Sequence, residues 1–177
     1  DAQETLGHLG QLAPSLASAR GLPSAADAVY VAELNLDAML ISTPENRRYL
    51  SGFTGSAGYL LVTQDHAVLA TDFRYVEQAG NQAPEFRIER VSGGPTWFPQ
   101  LTDSLGARRV GFESSDMTVA THAAFSKAIE EAEVTARADL VSTDEIVDRL
   151  RAFKDETEIE LLEKAVELAD QSFEHVA

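Results

Sequence analysis

Two apolar runs, Tyr59-Leu60-Leu61-Val62 and Ala67-Val68-Leu69-Ala70, stand either side of the polar connection Thr63-Gln64-Asp65-His66, and they restrict this chain more than any other feature. Runs this short suit strands buried on both faces, and a polar link of hairpin length makes them pair antiparallel. Around them, helix and strand signals alternate. A strand is predicted at Ala38-Met39-Leu40-Ile41, and a helix at PENRRYL opens on Pro44 behind Thr43 and stops at Gly52. After the hairpin come a helix over 73–82, a strand over 87–91, a helix over 95–105, a strand over 109–112, a helix over 119–132 and a strand over 133–138. Strands separated by helices of this length imply right-handed crossovers and a largely parallel sheet. The predicted class is therefore α/β: a mixed, mostly parallel sheet with one antiparallel hairpin and helices on both faces.

The two ends read differently. Residues 1–23, rich in Ala, Ser, Gly and Leu with Pro14 and Pro23, are predicted to be a loosely ordered leader, followed by a helix over 24–36 capped by Ser24. Ser142 with Glu145 three residues on has the form of a capping box for a helix ending near Phe153. Beyond it, Ile159, Leu162, Val166, Ala169, Phe173 and Val176 repeat at spacings of 3 and 4, an amphipathic stripe that needs a partner surface. No Gly, Asn or Pro ends that stripe, so the last helix is expected to continue into something larger. The expected organisation is a leader over 1–23, an α/β domain over 24–153, and the first helix of a further domain over 154–177.

Composition excludes several functions. Lys and Arg number 14 against 29 Asp and Glu, a formal charge of −15, which repels phosphate backbones and argues against nucleic acid as partner. The acids concentrate after Glu130. Without any Cys the chain has no disulfide, thiol nucleophile or Cys-ligated zinc. The apolar runs are a handful of residues, too short to span a bilayer, and DAQETLGHLG has no basic segment before an apolar core, so neither a membrane span nor a signal peptide is expected.

Chemistry is sparse. The glycine loop GFTGSAG over 52–58 fits neither a dinucleotide nor a phosphate-loop spacing; it reads as a tight loop needing Gly for positive φ, with contact to a ligand or partner as the alternative. Asp72, Arg74 and Tyr75 follow directly on a buried strand, at the edge where such sheets carry functional loops. Two readings stand there. Asp72 caps the next helix with Arg74 as its ion-pair partner, or Arg74 is presented to hold a substrate carboxylate in a bidentate contact. His8, His66, His122 and His175 are scattered, and Asp155, Glu156, Glu158, Glu160 and Glu163 read as the solvated face of a helix. No hydrolase is completed by these residues.

Three segments in order, PENRRYLSGFTGSAGYLLVT, HAVLATDFRYVEQA and LVSTDEIVDRLRAFKDETEIELLEKAVELAD, resemble the amino-terminal part of the proline-specific metallopeptidases: Xaa-Pro aminopeptidase, Xaa-Pro dipeptidase (prolidase) and creatinase. The resemblance covers roughly residues 25–177. Phe73 departs from it, since the segment usually reads TDGRY. The resemblance implies a non-catalytic, ribonuclease-H-like N-terminal domain and a C-terminal helix that begins a "pita-bread" catalytic domain beyond residue 177. It further implies no catalytic or metal-binding residue in this chain, and two divalent metal ions (manganese, zinc or cobalt) in the catalytic domain. The whole protein would be a cytoplasmic homodimer acting on proline-containing peptides, with this domain contributing to the dimer and to the substrate cleft. Transferred residue by residue, substrate or partner-cleft contact would fall on Phe53, Ser56, Asp72, Arg74 and Tyr75. The alternatives are the N-terminal domain of a creatinase-like amidinohydrolase and a stand-alone, non-enzymatic binding module.

Overall fold

In the computed structural model, which describes residues 34–176, the order of elements is β1 (Ala38–Ile41), α1 (Pro44–Ser51), β2 (Tyr59–Thr63), β3 (Ala67–Thr71), α2 (Val76–Gln82), β4 (Arg87–Arg90), α3 (Trp97–Ser104), β5 (Arg109–Glu113), α4 (Val119–Glu131), β6 (Asp139–Thr143), α5 (Ile146–Ala152) and α6 (Glu156–Val176). The leader and nearly all of the helix predicted over 24–36 lie outside the described residues; residues 34 and 35 form a turn.

The strands form one sheet in the order β4-β3-β2-β1-β5-β6. Only β2 is reversed. It pairs antiparallel with β1 and with β3, the latter in the predicted hairpin with Leu60 opposite Leu69, while the other three pairings are parallel. The hairpin turn closes on Thr63, whose Oγ1 accepts the backbone N–H of His66 at 2.9 Å.

Both faces are covered, which is why the strands read as apolar runs and not as alternating patterns. Met39, Ile41, Leu60, Val62 and Leu69 point to one face and pack with Leu50 of α1, Ala79 of α2, and Ile146 and Val147 of α5. Ala38, Leu40, Leu61, Val68 and Val110 point to the other and meet Phe98 and Leu101 of α3 and Phe125 and Ile129 of α4. Each such large side chain contributes about 1.5–3 kcal/mol when fully buried.

Several predicted boundaries move. The last strand lies at Asp139–Thr143, because residues 133–138 are taken up by a loop whose Thr135 and Ala136 N–H groups donate to the Asp103 carboxylate. Those two amides, Thr135 foremost, and the Arg108 guanidinium hold that carboxyl below its ordinary value. Ser142 therefore sits inside β6 opposite Phe112 and caps nothing. Glu145, in left-handed conformation at φ 52°, precedes α5 without a capping side chain. A reciprocal cap exists one helix later: Glu158 N–H donates to Asp155 Oδ1 at 2.8 Å and Asp155 N–H to Glu158 Oε2 at 3.1 Å, opening α6. None of the described residues of α6 is buried, and Ile159, Leu162, Val166 and Phe173 are 46% to 77% exposed.

Candidate functional site

The C-terminal edge of the parallel strands carries the glycine loop and the turn after β3, and the fold brings these two segments together. The loop begins where α1 ends: Gly52, at φ 77°, donates its N–H to Arg48 O and turns the chain by a left-handed step that suits glycine. Phe53 then drops into the core, 1% exposed. Gly55 lies against its ring so closely that a Cβ there would overlap the ring edge. Gly55 is thus required by packing, while the positive φ expected of this loop falls on Gly52.

Under the loop lies Arg47, 4% exposed. Its Nη1 donates to Ser42 O at 2.8 Å and Gly58 O at 2.7 Å, and its Nη2 to Gly55 O at 3.1 Å, so a single guanidinium ties β1's exit to the middle and the end of the loop. Burial lowers its pKa from the ordinary arginine value, although the nearby acids and Tyr59 oppose the shift.

The second segment is attached from the other side. Thr71 Oγ1 donates to Ala57 O at 2.6 Å, and the Ser56 and Tyr75 hydroxyls lie 2.7 Å apart. The Tyr75 ring stands edge-on to Phe53 with centroids 5.9 Å apart, and Arg74 lies over the Tyr75 ring. Thr54 is held by Gln78 and Gln82 of α2. Of the five site residues expected from sequence, Ser56, Asp72, Arg74 and Tyr75 share this surface. Phe53 supports it from beneath, its ring covered by Gly55 and Tyr75, and is not placed to touch a ligand.

Asp72 does not cap α2, which begins at Val76. Its Oδ1 accepts the Arg74 N–H two residues on, at 2.9 Å, and the carboxylate also binds the Arg74 side chain through Nε at 3.0 Å and Nη2 at 2.6 Å. Hydrogen bonding to Arg74 holds Asp72 below its ordinary pKa. The ion pair is exposed, with 57% of the Arg74 side chain open to solvent. One bidentate edge of Arg74 is therefore occupied by Asp72, and the Nη1 side is the part left for another molecule. Phe73, 69% exposed, adds an apolar surface beside it.

A buried polar cluster behind the site went unread in the sequence. Glu113, at the end of β5, accepts the N–H groups of Ser42 (2.7 Å) and Thr43 (2.8 Å) and the Asn46 amide (2.6 Å). Asn46, fully buried, also donates to Asp148 and accepts from Arg151 of α5 at 2.9 Å. A signal existed: Asn46 and Arg47 lie four and three residues before Leu50, on its face of α1, where a core-facing helix would carry apolar residues.

Sheet order and loop cluster together define a mixed α/β domain of ribonuclease-H-like arrangement that gathers aromatic, hydroxyl and guanidinium groups at one sheet edge. The creatinase/prolidase N-terminal domain model matches residues 28–153, and the chain belongs to that family. It is 41% identical over 145 residues, 81% of this chain, to the uncharacterized peptidase YqhT of Bacillus subtilis, and that match spans 39% of the relative. Among solved structures it resembles the Xaa-Pro dipeptidase from Bacillus anthracis, with a TM-score of 0.75 and 30% identity, over 99% of this chain and 43% of that one. It also resembles the N-terminal domain of the cytoplasmic peptidase PepQ from Mycobacterium tuberculosis, with a TM-score of 0.61 and 40% identity, over 69% of this chain and 92% of that one. The chain thus spans less than half the length of the longer relatives. Among the described residues no group of three or more His, Cys, Asp or Glu side chains could hold a metal ion, and no helix is long and apolar enough to cross a membrane.

Proposed function

We propose that this chain is the non-catalytic N-terminal domain of a metal-dependent Xaa-Pro peptidase, and that it contributes to a homodimer interface and bounds the substrate cleft with residues 54–58 and 72–75. The observation that carries the reading is the match of nearly the whole chain to an Xaa-Pro dipeptidase more than twice as long. Proline-containing peptides are the substrates in this reading, and two divalent metal ions belong to the remainder of the whole protein. A cytoplasmic location goes with it, supported by the description of the Mycobacterium tuberculosis relative.

The site geometry suits a bounding role. Asp72 fixes the Arg74 guanidinium through Nε and Nη2, so the Nη1 side is held out with little remaining freedom, beside exposed Phe73. A rigid cation next to an aromatic ring can meet a peptide carboxylate and an adjoining prolyl ring at once. The test is an assay of the whole gene product on an Xaa-Pro dipeptide and an Xaa-Pro-Yaa tripeptide. The expected result is hydrolysis of at least one, abolished by a chelator and restored by a divalent metal, with none from residues 1–177 alone. Hydrolysis of creatine in place of both peptides, or no hydrolysis of any, would overturn the proposal.

A further inference from the structure

The same sheet edge carries a second recess, which shares Ser56 with the surface described above but is not lined by Asp72, Arg74 or Tyr75. β1 and β5 are parallel neighbours, but the helices that follow them go to opposite faces, α1 to one and α4 to the other. Open α/β sheets hold ligands in the crevice that such a divergence creates. Here the crevice is about 290 Å³ and is lined by Ser42, Arg47, Ser56, Tyr59, Asp116 and Thr121, among others. A second recess of about 300 Å³ shares Tyr59 and Thr121 with it and is walled by Pro95, Ala124, Phe125 and the Gly93-Gly94 backbone. Each lies at the small end of the roughly 300–1,000 Å³ range of ligand cavities.

The polar groups of the crevice are incompletely used. Arg47 lines the crevice and gives three hydrogen bonds to carbonyls, which leave one Nη2–H uncommitted; its Nε–H has no partner among the described residues but is closed to solvent. The half-buried Tyr59 hydroxyl likewise has no hydrogen bond among the described residues. Burial raises the Tyr59 pKa and the charge of Arg47 draws it back, so the phenol is a neutral donor within reach of the guanidinium's field. Asp116, exposed at the rim, accepts the Ser42 hydroxyl at 2.8 Å on Oδ2 and leaves Oδ1 open.

Charge then narrows the ligand. Glu113 is close by but fully engaged by Ser42, Thr43 and Asn46. A simple anion entering here would meet two carboxylates and one cation, and a simple cation would meet the guanidinium. A zwitterion matches both signs: its carboxylate toward Arg47 and Tyr59, its ammonium toward Asp116, and an apolar side chain along Tyr59 and Phe125 in the second recess. We propose that the crevice between β1 and β5 binds a free α-amino acid with an apolar side chain. This does not rest on the peptidase reading.

The test is titration of the ¹⁵N-labelled 177-residue chain with L-leucine, with 4-methylpentanoate, which lacks the ammonium, and with 3-methylbutylamine, which lacks the carboxylate. Leucine is expected to shift the amides of Ser42, Gly58, Asp116 and Thr121 saturably, with each truncated analogue binding at least about tenfold more weakly. Tyr59→Phe and Asp116→Asn, checked for an unchanged thermal melt, are each expected to weaken leucine binding about fivefold or more. The proposal is overturned if leucine gives no saturable shift at these amides, if 4-methylpentanoate binds as tightly as leucine, or if both variants bind leucine like the parent chain.

Discussion

Glu113→Ala removes the acceptor at the centre of the buried cluster. Three donors lose their partner: the Ser42 and Thr43 N–H groups at the entry to α1 and the fully buried Asn46 amide. A hydrogen bond to a charged acceptor contributes about 1.5–3 kcal/mol, and leaving a buried donor unpaired costs about 1–3 kcal/mol. Thr43 is only partly buried, so water replaces one of the three bonds, and the net loss is expected at about 3–5 kcal/mol. Glu113→Gln refines the point. Its carbonyl can still serve Ser42 and Thr43, but its NH₂ then faces the Asn46 NH₂, and turning Asn46 over would break the bond from Arg151. The expected loss is about 2 kcal/mol. Urea unfolding of the 177-residue chain measures both, the midpoint falling while the slope stays constant. A loss below about 1 kcal/mol for Glu113→Ala at unchanged slope would refute the view that this carboxylate fastens β1, α1 and α5 together.

Gly55→Ala places a methyl group on the Phe53 ring and is expected to lower stability by about 1–3 kcal/mol in the same urea assay; an unchanged midpoint contradicts the packing requirement at this position. The Asp72 carboxyl, followed by NMR, should titrate below the ordinary aspartate value of about 3.9 and move back up in Arg74→Ala. Because the folded pKa is the lower one, the stability this pair adds is present above about pH 3.9 and lost as pH falls through the folded value, so parent and Arg74→Ala should converge in acid. Divergence there would show that the pair acts otherwise. Val166→Asp, on the exposed stripe of α6, is expected to shift stability by no more than about 0.5 kcal/mol; a loss of 2 kcal/mol or more, on the order of burying one such side chain, would mean that α6 packs on the sheet.

The strand runs were the most legible part of the sequence, because a strand buried on both faces has one signature, a short unbroken apolar stretch: Met39 to Ile41 and Leu60 to Val62 gave β1 and β2 directly. Gly52 marked the end of α1 for the equally local reason of a left-handed turn. The last strand was misplaced because the Asp103 carboxylate, thirty-odd residues earlier, draws residues 135 and 136 into a loop, and propensity carries no trace of such a bond. The capping box at Ser142 failed for a similar reason, since pairing with β5 had claimed that residue. At the site, the order of the motifs singled out the two loops that meet there. What it hid was their depth: Phe53 is beneath the surface and Arg74 above it, and Asn46 and Glu113 meet across a sequence distance of 67 residues.

The most direct measurement is kcat/KM of the whole gene product on an Xaa-Pro dipeptide for Arg74→Ala, taken beside the Tm of the same variant. Arg74 is exposed and its ion pair with Asp72 is on the surface, so only a small fall in Tm is predicted. If residues 72–75 bound the substrate cleft, kcat/KM falls about tenfold or more. An unchanged kcat/KM in a variant that still folds would contradict the account and leave Asp72 and Arg74 as nothing more than a surface pair.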